Sequence, residues 1–249
     1  MIKVYKVLQI GEYHLDHCED YLSVEDIGQD MLLCAVMDGC TMGQDSYFVS
    51  TLVGKLLRKI CKEIAYRDFY NIQKVGEISS LLKEILKSLF QELRLAKNQL
   101  ALSPNELLTT LVILIADKRN GTGVILVVGD GVVCVNGKTF EFDHDNKPDY
   151  LGYHLSSDFD QWFNAQTQII EIDQIHDVSI ATDGILMFSK VTAANDDRNI
   201  NPLDFLLIDR FQFEDEQMLS KRVKVLEHQF GLKPTDDLAV VRVVAKDFS

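Results

Sequence analysis

Acidic side chains stand where apolar runs stop: at Glu19-Asp20, Asp38-Gly39, Asp130 inside Gly-Asp-Gly, Asp183-Gly184 and Asp236-Asp237. One Asp-Gly by itself is most often a turn. The same arrangement at five places along one chain is how strand ends deliver carboxylates to a common point. Converging carboxylates repel one another and stay ionised together only if cations neutralise them, and hard divalent ions prefer oxygen ligands. Magnesium or manganese is the guest this set suits.

Other candidates carry less. His14-Leu15-Asp16-His17 puts two imidazoles close together, but no further His or Cys follows at zinc-finger spacing, and each histidine reads first as a solvated surface group. Gly121-Thr122-Gly123 lacks the third glycine of a dinucleotide fingerprint, since Leu126 stands in its place. Cys40, beside Asp38-Gly39, is either a small packed thiol or a redox-sensitive one. Lys55, Arg58, Lys59 and Lys62 recur as a solvated helix face does, and Arg198 lies in a polar stretch around Asn195–Asn199 that reads as a loop or lid.

The elements that must position the carboxylates are legible from periodicity. Ile2–Ile10 alternates like a strand, and Met31–Met37 is a short apolar run ending at Asp38. Ser46–Ile64 and the segment from Ile78 to Leu93 have helical spacing. Strand patterns then follow at Leu107–Ala116, Gly123–Val128, Val132–Val135 and Lys138–Phe142, with Asn120-Gly121 and Asn136-Gly137 as hairpin turns. Further strands are expected at Gln168–Ile172, His176–Thr182 and Leu238–Val244, and a helix at Asp215–Gln229 closed by Gly231. Without βαβαβ alternation, this order reads as α+β, in one domain over residues 1–249.

Composition narrows the partners. Lys and Arg number 25 against 38 Asp and Glu, a net charge of −13, which disfavours nucleic acid. The longest uncharged apolar stretch, Leu107–Ala116, is half of the roughly 20 residues a membrane span needs, and the first ten residues read as a strand rather than a signal peptide. The cysteines, Cys18, Cys34, Cys40, Cys61 and Cys134, are odd in number and form no C-x-x-C pair, so they read as reduced thiols of a cytoplasmic protein.

Taken in order, these segments resemble the metal-dependent serine/threonine protein phosphatases of the 2C type, in a bacterial-like single-domain form. The residues that carry the resemblance are Cys18-Glu19-Asp20-Tyr21, Ala35-Val36-Met37-Asp38-Gly39, Leu108-Thr109-Thr110-Leu111-Val112, Val128-Gly129-Asp130-Gly131, Ala181-Thr182-Asp183-Gly184 and Asp236-Asp237-Leu238-Ala239-Val240-Val241. The resemblance implies a four-layer αββα sandwich of two mainly antiparallel sheets flanked by helices. It implies two manganese or magnesium ions bridged by Asp38, with the Gly39 carbonyl, Glu19, Asp183 and Asp236 completing the sites. Asp20 would support them from behind, and Asp130 would do so or serve a third ion. The implied reaction is hydrolysis of phosphoserine or phosphothreonine in a protein substrate by a water activated between the ions, a signalling role.

Three departures bear on that reading. Cys40-Thr41-Met42-Gly43 replaces the family's His and glycines after Asp-Gly, so its usual proton donor is missing. Leu15 stands where the family's phosphate-binding Arg would fall, leaving His14, His17 or Cys40 as candidates to touch substrate. Met187 replaces an Asp that helps to hold a third metal. The alternatives are a pseudophosphatase that binds metal and signals through protein contacts, and a phosphatase for small metabolites.

Overall fold

In the computed structural model, the described residues are 2–40, 43, 45–70, 77–143, 148–191, 199–210 and 213–245. Along the chain come β1 (Ile2–Gln9), β2 (Tyr21–Ile27), β3 (Met31–Met37), α1 (Ser46–Phe69), α2 (Ile78–Gln99), β4 (Leu111–Asp117), β5 (Thr122–Val128), β6 (Gly131–Val135) and β7 (Lys138–Phe142). They are followed by α3 (Phe159–Asn164), β8 (Ile169–Ile172), β9 (Asp177–Ala181), β10 (Phe188–Lys190), α4 (Pro202–Leu207), α5 (Met218–Phe230), β11 (Leu232–Pro234) and β12 (Leu238–Ala245).

One sheet runs β1-β12-β9-β6-β7 and the other β2-β3-β4-β5-β8, with β10 and β11 as a separate ribbon. The pairings are antiparallel. Alternation decides what each face meets. In β3, Leu33, Ala35 and Met37 join Val53, Leu57 and Ile60 of α1 and Leu82, Ile85 and Leu89 of α2 in one apolar cluster. Leu32, Cys34 and Val36 point the other way, into the layer between the sheets with Val133, Ile180, Val241 and Val243. A strand buried on both faces reads as an unbroken apolar run, and Met31–Met37 is one. Leu206, Leu207, Leu219 and Leu226, from α4 and α5, close the outer face of the first sheet. The result is the expected αββα sandwich.

Boundaries moved where local chemistry outweighs periodicity. Residues Pro104–Leu107 form a turn of 3₁₀-helix boxed by Ser103 and Glu106, so β4 starts at Leu111 rather than Leu107. The last helix starts at Met218, because the Asp215 carboxylate accepts from the Gln217 N–H in a turn ahead of it. The first helix runs on to Phe69. β2 carries Glu25 and Asp26 on an edge strand and is a strand the periodicity did not announce. Both Asn-Gly turns close hairpins, but β5 and β6 lie in different sheets, and the chain crosses between them at Gly129-Asp130. Among the described residues no helix is long and apolar enough to cross a membrane.

Candidate metal centre

Antiparallel register brings the acidic strand ends together. Tyr21 pairs with Met37, so Glu19-Asp20 precede β2 beside Asp38, which follows β3. Val240 pairs with Ala181, so Asp236 precedes β12 near Asp183, which follows β9. The two sheets are tied at this end: Thr182 Oγ1 donates to Asp20 Oδ2 at 2.6 Å and accepts from the Ala239 N–H at 2.9 Å. Leu111 pairs with Val128, which brings the start of β4 and Asp130 to the same end.

Asp38 is held by its backbone. Its N–H donates to Thr110 Oγ1 at 3.1 Å, and its carbonyl accepts from the Thr110 N–H at 2.9 Å and from Thr109 Oγ1 at 2.8 Å. The glycines beside the acids are required by close approach: a Cβ on Gly39 would stand 2.1 Å from the Ser46 carbonyl oxygen, and one on Gly184 1.8 Å from that of Asp237. Exposure sorts the carboxylates. Glu19, Asp38, Asp183 and Asp236 are partly exposed, whereas Asp20, Asp130 and Asp237 are buried at 2, 7 and 2%. The first four can meet a ligand, and the others stand behind them.

Electrostatic strain accumulates accordingly. Burial, then the charges of Asp20, Asp183 and Asp236, push the Asp38 carboxyl well above the usual carboxylate range. Asp20 is raised by burial, against its hydrogen bond from Thr182. Asp183 is pushed up to about 6 by burial, then by Asp236 and Asp130. Among the described residues no three His, Cys, Asp or Glu side chains are gathered as a metal's ligands are. Hard oxygen donors that repel one another fit a divalent cation.

The raised values have a consequence for pH. A carboxyl whose pKa is higher folded than unfolded binds its proton more readily in the native state, so its contribution to stability falls as pH rises through the folded value. For Asp183 that window runs from about 4 to about 6. In chelator, the melting temperature should therefore fall between about pH 4 and pH 6, and manganese should flatten the decline. A chelated protein that becomes more stable across that interval would contradict this account of the cluster.

The remaining candidates are placed as follows. His14 Nδ1 is 2.9 Å from Asp237 Oδ2 and its Nε2 3.6 Å from Asp236 Oδ1. Burial opposes its charge, but contact with Asp237 and the fields of Asp236 and Glu19 leave its pKa raised. His17 is exposed and packs in a tilted arrangement against Tyr47, with ring centroids 4.2 Å apart. Cys40 is 4% exposed, packed with Leu108 and Tyr150, so it is a core thiol. Leu15 is 90% and Met187 47% exposed. Arg198 and most of its polar stretch lie outside the described residues. Sequence reasoning assigned no role to Ser46, whose hydroxyl donates to Glu19 Oε1, to Thr182, or to Asp237, whose only signal was its place as the second acid of a pair.

Comparison with known proteins agrees with this geometry. No curated protein sequence matches. Among solved structures, the chain is similar to the phosphatase domain with a regulatory fragment of SpoIIE from Bacillus subtilis, with a TM-score of 0.57 and 14% identity over 98% of this chain and 63% of that one. It is similar to RsbX in complex with magnesium, at 0.55 and 15%, covering 97% of this chain and 94% of that one. Staphylococcus aureus serine/threonine phosphatase Stp1 gives 0.60 and 13%, covering 99% and 96%. At such identities the likeness is one of fold. The family model for protein phosphatase 2C matches residues 11–227, most of the chain and all but the last of the acidic strand ends, and the chain belongs to that family.

Proposed function

We propose that the chain hydrolyses phosphoserine and phosphothreonine monoesters of proteins, with manganese or magnesium held by Glu19, Asp38, the Gly39 carbonyl, Asp183 and Asp236. The observation that carries the reading is the partly exposed Asp38, its backbone held by Thr109 and Thr110 and its carboxyl destabilised by burial and by the acids around it. Two bound divalent ions would lower the pKa of a water and neutralise phosphoryl oxygens. The chain's own residues orient that chemistry. Thr109 and Thr110 fix the Asp38 backbone, Thr182 aims Asp20 at the cluster, and Ser46 holds Glu19. The substrate class follows the family and the serine/threonine phosphatase among the structural neighbours.

An aryl phosphate should be hydrolysed with added manganese or magnesium and not in excess chelator; turnover that ignores chelator would overturn the proposal. A second reading rests on Leu15 and Cys40, where the family's Arg and His would stand: a module that binds metal and protein without turnover. Metal stoichiometry near two with no hydrolysis of phosphoprotein, phosphopeptide or small phosphorylated metabolites would favour it.

A further inference from the structure

Asp237 is a buried carboxylate with an unusual set of neighbours. It accepts from the Gly11 N–H at 2.7 Å and from the Glu19 N–H, and His14 Nδ1 lies against its second oxygen. Its own N–H donates to Asp236 Oδ1 at 2.8 Å, and the other ring nitrogen of His14 faces that same Asp236 oxygen. The 11–19 segment is laid tightly on this corner, since a Cβ on Gly11 would stand 2.3 Å from the Asp236 carbonyl carbon. Both nitrogens of His14 thus lie close to carboxylate oxygens, at 2.9 and 3.6 Å, Nδ1 without the alignment of a hydrogen bond, and its side chain is 19% exposed.

We infer that His14 and Asp237 form a clasp that positions Glu19 and Asp236 for metal, so that His14 is a positioning residue and not the group that takes the substrate's phosphate. The inference rests on the metal centre proposed above. Groups behind a metal's ligands typically set affinity by about 10- to 100-fold. The sign of the effect separates this role from simple charge. A positive charge beside the cluster would repel metal ions, so a role through charge alone predicts tighter binding when it is lost. Losing a clasp weakens it.

The test is manganese affinity by calorimetry for wild type, His14→Gln, Asp237→Asn and the double variant, with melting in chelator as the check on folding. His14→Gln should weaken manganese binding about 10-fold or more while the aryl-phosphate KM at saturating manganese stays within about twofold. The double variant should be no weaker than the weaker single one, since both act through one contact. Manganese affinity unchanged or tighter in His14→Gln overturns the clasp, and a raised KM with unchanged metal affinity assigns the ring to phosphate instead. Because His14 is near the surface, its variant keeps the test open even if Asp237→Asn fails to fold. A wild-type chain that binds no manganese overturns the metal centre and the clasp together, whereas a chain that binds manganese without turnover overturns only the hydrolytic function.

Discussion

Asp38→Asn should remove hydrolysis of an aryl phosphate, by about 10³-fold or more, and weaken manganese binding, while the metal-free protein becomes more stable. The two halves of this expectation share one cause. The Asp38 carboxyl is pushed far above its ordinary range by burial and by Asp20, Asp183 and Asp236, so its ionised form is disfavoured in the folded chain until cations arrive. An amide of the same shape removes that repulsion and leaves the backbone contacts to Thr109 and Thr110 intact. It also removes the negative charge that would hold the ions, so transition-state stabilisation and ground-state binding both fall. Activity, manganese affinity and melting in chelator should be measured together. Normal turnover with two tightly bound ions would show that Asp38 does not bridge them; an unfolded variant would assign the residue to structure.

The readability of this site has a physical reason. Carboxylates at strand ends announce themselves because Asp38 and Asp183 each follow an apolar run and precede a glycine, and that pattern is local in sequence, although the packing that forces Gly184 comes from distant Asp237. β3 and the Asn-Gly hairpins were legible for the same reason. What was not legible depends on contacts between distant segments. Nothing in Val128-Gly129-Asp130-Gly131 says that the chain leaves one sheet for the other there, because β5 and β6 are equally apolar in either arrangement. α3 and α4, of six residues each, are too short to develop a period. His14 sits in a segment without periodicity, and its carboxylate partners come from the start of the last strand. Arg242 lies inside the apolar run Leu238–Val244, and only the fold shows what it meets.

Arg242→Leu should cost about 3–5 kcal/mol of stability, since it breaks an ion pair out of reach of water. Arg242 is 0% exposed, and its Nε and Nη2 donate to the two oxygens of Asp177 at 2.8 and 2.6 Å. The other donors reach the carbonyls of Leu206, Ile208 and Asp209 at 3.0, 2.9 and 2.8 Å, the negative end of α4, where a cation is favoured. Removing the side chain strands a buried carboxylate and several carbonyls at once. At roughly 2–4 °C per kcal/mol for a chain of this size, the melting temperature should drop by about 6–20 °C. Arg242→Lys should recover only part of it, because an ammonium cannot reproduce the fork that matches Asp177. A loss below about 1 kcal/mol would mean that water or neighbouring groups replace the pair. The position of the pair also separates stability from function. Asp177 opens β9 and pairs with Val244 near the end of β12, whereas Asp183 and Asp236 lie at the opposite ends of the same two strands. The intervening ladder, Val240 to Ala181 through Val243 to Val178, sets register there by its own hydrogen bonds and its two buried faces. Well below its melting temperature, Arg242→Leu should therefore bind manganese within about twofold of wild type despite its lower stability. A parallel loss of metal affinity would show that the β9–β12 register at the site depends on the far end of the sheet.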